Sequence, residues 1–340
     1  MKITCPHCQK SYEIPDERFS KLGDYVTFPC PACKGKIEIN LTASAGQATS
    51  APEPSKELPT GEVLKKRILR TIDDLAPMPQ VAQKARELTA NEDASFQDLA
   101  KIIETDQAIA TRVLKLSNSS FYGQMGKVTS IQHAAVVLGL KTLNELLTLA
   151  CAASLLGSEL QGYEQGSGDM WQHSLAVAHT ARKLAEQKDP GSVEDAFSAG
   201  LIHDCGKLIL DKYILERKAA FQESMQAGDK SFLASEREIL GFDHAQIASD
   251  VCQKWQIPKQ LVRAVEYHHR PSGLTANYTL AYIVHAADAI ALMSGIGAGM
   301  DGMMYQLDDR VMKELELNSE IISMLMVEAA EFVDKTVSAG

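Results

Sequence analysis

From Gly61 onward, apolar residues recur at helical spacing, as in Val63, Ile68, Ile72 and Leu75, then Val81, Ala85 and Leu88, then Leu99, Ile102 and Ile103. A period of three to four predicts amphipathic helices, each turning one face to a core. Start signals punctuate the pattern. Pro79, Asp93 and Ser95, Thr105-Asp106, and Ser130 each precede such a run, where a side-chain oxygen or a fixed φ serves the first turn of a helix. Strand-like alternation is confined to the N-terminal stretch, at Tyr12 and Ile14 and at Val26 and Phe28. The expected fold class is therefore an all-α, multi-helical body preceded by a small β-rich module. Between them TASAGQATSAPEPSKELPT, residues 42–60, has no apolar period and reads as a flexible tether. The pattern divides the chain into a module at 1–41, the tether at 42–60, a front helical part at 61–157, a second helical part at 158–300 and C-terminal helices at 301–340. In the last of these, DDRVMKELEL and EIISMLMVEAAEFVDKTV are both amphipathic.

Composition narrows the function classes. The chain has 340 residues, 45% of them hydrophobic and 23% charged, enough for two or three domains with real cores. A net charge of -10 gives no support to a nucleic-acid partner, since that affinity needs clustered Lys and Arg. In the N-terminal module Lys2, Lys10, Lys21, Lys34 and Lys36 are offset by Glu13, Asp16, Glu17, Asp24 and Glu38. The start MKITCPHCQK lacks the apolar core of a secretory signal, and the longest apolar stretch, Leu280 to Met300, is interrupted by His285 and Asp288. No membrane association is expected, and the cytoplasm is the expected compartment. There the seven cysteines stay reduced, so close cysteine pairs read as metal ligands before disulfides.

Cys5 and Cys8 stand in CPHC, and Cys30 and Cys33 in CPAC. Two such pairs supply four thiolates to a tetrahedral Zn²⁺, whose binding energy replaces the core that a module this small cannot build. His7, inside the first pair, is expected to be a bystander. Four sulfur ligands leave the zinc no open position, so the module folds and docks rather than catalyses. CPHCQKSYEIPDE and FPCPACKGKIEI resemble the short zinc ribbon at the N-terminus of many bacterial regulatory proteins.

Three phrases of the front helical part, LAPMPQVAQKARELT, IIETDQAIATRVLKLSNSSFYG and SIQHAAVVLGLKTL, resemble the HDOD family of bacterial signalling domains, relatives of the HD phosphohydrolases. Asp106, Leu114, Asn118, Ser119, Tyr122, Ile131, Gly139 and Leu140 carry the match in order, and with the histidine-bearing segments downstream it spans about residues 65 to 300. Read from the residues alone, Asn118 and Ser119 cap or turn the chain, Gly139 permits a helix break or a close helix contact, and His133 is an ordinary polar-face histidine.

Candidate chemistry is concentrated after residue 170, where most of the nine histidines stand beside acidic residues. AGLIHDCGKL holds His203, Asp204 and Lys207; MWQHSLAVAHTARKLA holds His173; GFDHAQIASDVCQKW holds His244; LVRAVEYHHRPSG holds His268 and His269; LAYIVHAADAIALM holds Asp288. Adjacent His and Asp point about 100° apart on a helix, so they serve one site only at a helix end or across a bridged metal pair. Asp288, in an otherwise apolar helix, needs a charged partner or a metal. His179 shares the helix of His173 but falls outside the pattern; His285, one turn before Asp288, is the candidate to orient that carboxylate. Cys151, Cys205 and Cys252 read as small buried hydrophobes.

The order of these residues resembles the ligand order of HD-domain phosphohydrolases, and of HD-GYP phosphodiesterases in particular. The resemblance implies that His173, His203, Asp204 and Asp288 form an HD core with Asp204 bridging two metals, that His244, His268 and His269 complete the second metal, and that Lys207 sits beside a bound phosphate. It breaks after His268 and His269, where Arg270, Pro271, Ser272 and Gly273 stand in place of the Glu and Gly-Tyr-Pro element, so cyclic di-GMP specificity is not implied. Mixed His and Asp ligands suit one or two ions of Fe, Mn or Zn better than Mg or Ca. Two functions stay open: a signal-transduction protein whose metal site binds or senses a phosphorylated ligand such as a nucleotide or cyclic nucleotide, and an active metal-dependent phosphohydrolase. A protein partner in signalling accompanies the first, and the C-terminal Met-rich face packs either on the domain itself or on a second copy in a homodimer.

Overall fold

The computed structural model describes residues 2–4, 10–13, 25–40, 58–73, 80–89, 95–123, 128–226, 230–274, 279–297, 299–302 and 305–338. They fall into two compact units, Met1–Leu58 and Pro59–Gly340. In the first, β1 (Lys2–Thr4) pairs antiparallel with β2 (Ser11–Glu13), and β3 (Tyr25–Pro29) with β4 (Lys36–Asn40), with Ile3 opposite Tyr12 and Thr27 opposite Glu38. The turn after β3 closes through the Lys34 amide on the Cys30 carbonyl at 2.9 Å and the Cys30 amide on the Gly35 carbonyl at 2.7 Å. Cys30 is buried, with the Tyr12 hydroxyl 3.4 Å from its sulfur, and Cys33 is exposed. Cys5, His7, Cys8 and most of the predicted tether lie outside the described residues.

The second unit is helical. Its front helices are α1 (Gly61–Asp73), α2 (Gln80–Thr89), α3 (Phe96–Glu104), α4 (Gln107–Ser117) and α5 (Ile131–Leu156). Pro79 and Asp93 lie outside the described residues; the other start signals act as expected. Ser95 accepts from the Asp98 amide at 3.1 Å, Asp106 from the Ile109 amide at 3.1 Å and Ser130 from the His133 amide at 3.0 Å. Each cap is worth about 1 kcal/mol. Asn118 ends α4, its amide group donating to the carbonyls of Leu114 and Val128, both at 2.8 Å, and its Oδ1 accepting from the Val128 amide at 2.9 Å. Gly139 breaks α5 at φ 83° and ψ 164°, a conformation essentially reserved to glycine. His133 is exposed on the same helix.

The remaining helices are α6 (Asp169–Lys188), α7 (Val193–Ile202), α8 (Lys207–Leu215), α9 (Lys218–Gln226), α10 (Phe232–Leu240), α11 (His244–Lys254), α12 (Lys259–Tyr267), α13 (Thr279–Met293), α14 (Asp309–Glu314) and α15 (Ser319–Val337). α6 is packed against α7, α13 and α15, and every residue of α13 from Leu280 to Ala291 is buried. A helix apolar all round belongs in an interior. Leu280 to Ala291 of the apolar stretch is thus a core element. Among the described residues the segment long and apolar enough to cross a membrane is instead Ile131–Ala153 of α5, half of it buried in the protein.

A buried polar junction ties the two parts together. Glu145 of α5 accepts from the Tyr122 hydroxyl and pairs with Arg182 of α6 at 2.7 Å, and the Arg182 guanidinium lies 4.0 Å over the Phe197 ring of α7. His179 of α6 stacks on Phe332 of α15 with ring centroids 4.4 Å apart. α15 buries Leu325, Ala329, Phe332 and Val333, whereas Met324 is exposed.

Candidate metal centre

Five helix ends and helix interiors aim side chains at one point. His173 lies in the second turn of α6 and Asp288 in the middle of α13. His203 follows the last residue of α7, and His203 to Gly206 form the turn into α8, so the adjacent His and Asp stand at a helix end as their divergent directions demand. His244 is the first residue of α11, fixed by a capping box in which Asp243 accepts from the Gln246 amide at 2.9 Å. His268 and His269 follow the end of α12. The α7–α8 turn lies hard against α11 because residue 206 is glycine: a Cβ there would stand 2.0 Å from the His244 carbonyl oxygen and 2.8 Å from the Ala248 nitrogen.

The seven predicted residues converge as two sets, His173, His203 and Asp288, and Asp204, His244, His268 and His269, the ligand atoms within each lying within 4.8 Å of one another. Asp204 faces both. Its Oδ2 is 3.2 Å from His203 Nε2 and 3.8 Å from His173 Nε2, while its Oδ1 is 3.3 Å from His244 Nε2 and 3.7 Å from His268 Nε2. Asp288 Oδ1 is 3.1 Å from His173 Nε2 and 3.7 Å from His203 Nε2, and its Oδ2 is 4.0 Å from His269 Nδ1.

In His173, His203, His244 and His268 the other ring nitrogen is already engaged. Nδ1 of His203 lies 2.8 Å from the Gly200 carbonyl, that of His268 2.6 Å from the Val265 carbonyl, and that of His173 3.2 Å from the Ile296 carbonyl. Nδ1 of His244 is 2.8 Å from Glu236 Oε2. Carbonyls and carboxylates only accept, so each Nδ1 carries the proton and donates it; in the neutral ring the Nε2 lone pair is left pointing into the cluster. His203 Nε2, Asp204 Oδ1 and His268 Nε2 are buried and have no hydrogen-bond partner among the described residues. Buried polar atoms are ordinarily paired, and three orphans converging from two imidazoles and a carboxylate fit a cation. Mixed nitrogen and oxygen donors suit a first-row transition ion.

The electrostatics agree. Burial alone would raise the carboxyl groups of Asp204 and Asp288, but His203 and Lys207 hold Asp204 well below the usual range, and the hydrogen bond from His173 together with the nearby charge of His203 does the same for Asp288. Burial opposes charge on His203 and His244, yet Asp204 lifts His203 to about 9 and Glu236, with Asp204, lifts His244 to about 10. Burial pushes His269 well below the ordinary imidazole value, reinforced by the charges of His268 and His244. The cluster thus balances its two carboxylates with protons, which a bound cation would replace.

Lys207 is buried and its ammonium pairs with Asp204 Oδ2, with the Tyr163 ring 5.7 Å away. A cavity of about 130 Å³ opens beside the cluster, lined by Lys207, His244, His269, Asp288 and Tyr305. His285 does not hold Asp288. Its Nε2 accepts from the Asp308 amide at 3.0 Å, so its Nδ1–H donates to the His268 carbonyl at 2.6 Å, and it braces the His268–His269 backbone instead. The Tyr305 hydroxyl lies 3.0 Å from that Nδ1. Two residues escaped sequence reading. Glu236 is fully buried on α10 and binds the His244 amide at 3.0 Å, its ring, and the Tyr163 hydroxyl at 2.6 Å. A signal existed: Glu236 stands four residues from both Phe232 and Leu240, on the apolar face of its helix. Tyr305 follows no regular pattern. Cys151, Cys205 and Cys252 are buried, as expected.

The HDOD domain family matches residues 75–271, and the zinc-ribbon domain family matches residues 1–38. Asp288, His285 and Tyr305 lie beyond the first match. An uncharacterized protein of Treponema pallidum is 24% identical over 199 residues, which are 58% of this chain; the match spans only 38% of that relative's length. Among solved structures, a candidate phosphohydrolase of Shewanella amazonensis is similar with a TM-score of 0.61 and 22% identity, over 80% of this chain and 98% of that one. A candidate signal transduction protein of Marinobacter aquaeolei is similar with a TM-score of 0.63 and 23% identity, over 83% of this chain and 61% of that one. At such identities the likeness establishes the fold.

Proposed function

The chain belongs to the HDOD domain family, and from that premise we propose that it is a bacterial signal-transduction protein whose buried centre binds one or two transition-metal ions and receives a phosphorylated ligand, a nucleotide or cyclic nucleotide. The observation that carries the reading is the shared carboxylate: Asp204 presents one oxygen to His173 and His203 and the other to His244 and His268, while all four histidines are tethered through Nδ1. His173, His203, Asp204 and Asp288 would hold one ion, and Asp204, His244, His268 and His269 the other. Such ions supply Lewis acidity toward a phosphoryl oxygen. The protein's own groups do the positioning. Glu236 and the backbone carbonyls fix the imidazole orientations, and Lys207 places a cation at the wall of the cavity, where it complements phosphate charge. Cys5, Cys8, Cys30 and Cys33 would hold a structural zinc in the ribbon, leaving that module to dock a protein partner. The reading sets the protein in the cytoplasm, where those thiols stay reduced. Self-association through the α15 face is part of the same reading, supported by exposed Met324 and Val327.

A second reading, a metal-dependent phosphohydrolase, is favoured by the buried Lys207 beside Asp204 and by the cavity reaching both Asp288 and the histidines. Metal-loaded protein presented with cyclic dinucleotides, cyclic mononucleotides, nucleotides and a generic phosphodiester separates the two. Saturable binding without turnover supports the signalling role. Turnover abolished by Asp204→Asn would replace it with the hydrolase.

A further inference from the structure

A second cavity, of about 220 Å³, lies in the seam between the front helices and the second helical part. Its walls are Leu147, Cys151 and Leu156 of α5 on one side, and Ile202, Trp255 and Leu261 on the other. Leu147, Leu156 and Leu261 are buried, whereas Ile202 and Trp255 are half-buried, so the void communicates with solvent. Interiors are packed densely, and a void of roughly 150 Å³ lined by such side chains suffices to take up benzene. The cavity is therefore large enough for a molecule of about ten heavy atoms, and its lining of apolar side chains with few polar groups is that of a ligand site.

The polar groups at its mouth decide what the guest carries. Glu194 and Asp195, in the first turn of α7, both line the cavity. Glu194 is engaged with Lys141 at 2.9 Å, and Arg182 is committed to Glu145 at 2.7 Å. Among the described residues Asp195 has no lysine or arginine partner; it accepts only from the Gln260 side-chain amide, at 3.4 Å. A carboxylate without a cation at the rim of an apolar hole complements an ammonium group on an apolar body.

We infer that this seam is a binding site for a small apolar amine, with the aromatic or branched body among Leu147, Leu156 and Trp255 and the ammonium at Asp195. The position is consequential, because Ile202 and Cys205 of the cavity wall bracket His203 and Asp204 in sequence. A guest packs against the same turn that carries the candidate metal ligands.

Calorimetric titration of the full chain with 2-phenylethylamine tests the assignment, with propylbenzene as the uncharged comparison. The expected result is saturable one-to-one binding of the amine, with propylbenzene about fivefold weaker, the worth of one partly screened ion pair. Ala152→Phe, which fills the cavity, is expected to abolish binding. Asp195→Asn, a change at the half-exposed rim that leaves the core untouched, is expected to remove the preference for the amine while leaving the melting temperature unchanged. No saturable binding of either compound would overturn the site. Equal affinity for the two, or an amine preference that survives Asp195→Asn, would overturn the assigned ligand class.

Discussion

Replacing Gly206 by alanine places a methyl carbon 2.0 Å from the His244 carbonyl oxygen and 2.8 Å from the Ala248 nitrogen. Both neighbours are backbone atoms of α11, so no side chain can swing aside. Either α11 or the turn carrying His203 and Asp204 must retreat by roughly 1 Å or more, an overpacking strain costing about 2–4 kcal/mol. For a unit of this size each kcal/mol moves the melting temperature by about 2–4 °C, giving a fall of roughly 5–15 °C. The same retreat separates Asp204 Oδ1 from His244 Nε2, now 3.3 Å apart, and so should lower metal loading along with stability. Thermal melts and metal analysis of Gly206→Ala check both. A variant that melts within about 2 °C of the parent and holds the same metal would refute the close packing of turn against helix on which the site's geometry rests.

Glu236→Gln keeps the shape but removes the charge that supports His244; metal affinity, read by competition with a chromogenic chelator, should fall by about 10–100-fold with the fold retained. Unchanged affinity would mean that Glu236 is merely a core hydrogen-bonding group. His179 gives a pH signature: burial, then the charges of Arg182 and Lys183, depress it to about 3 from an ordinary 6.5. The unfolded chain takes up this proton before the folded one does, so its stabilising contribution is complete above 6.5 and is lost as pH falls toward 3, at about 1.4 kcal/mol per pH unit. Denaturant midpoints of His179→Leu against the parent between pH 7 and 4 should show a shallower acid limb in the variant; parallel limbs would contradict the assignment.

How much of this was legible in sequence depends on how local the signal is. Ser95, Asp106 and Ser130 act within one turn of themselves, so capping and the helical body could be read directly. The seven His and Asp residues were legible for another reason: side chains this polar stand out in apolar helices, as Asp288 does among the buried residues of α13. Orientation was less accessible. His285 lies one turn from Asp288, yet its partners are the His268 carbonyl and the Asp308 amide, each far along the chain. Tyr305 reaches His285 from an irregular segment with no period to betray it. Composition does not distinguish α13 from Ile131–Ala153 of α5, which is long and apolar enough to cross a membrane; only packing shows that both feed a core.

On the proposed function the helical unit holds metal in addition to the ribbon. Elemental analysis of the purified full chain, beside Asp204→Ala and a variant with Cys30 and Cys33 replaced by serine, tests it most directly. The expected result is more than one equivalent of metal in the parent, loss of the helical unit's metal in Asp204→Ala with the ribbon zinc kept, and the converse in the cysteine variant. A single equivalent of zinc, unchanged by Asp204→Ala and lost with the cysteines, would contradict it.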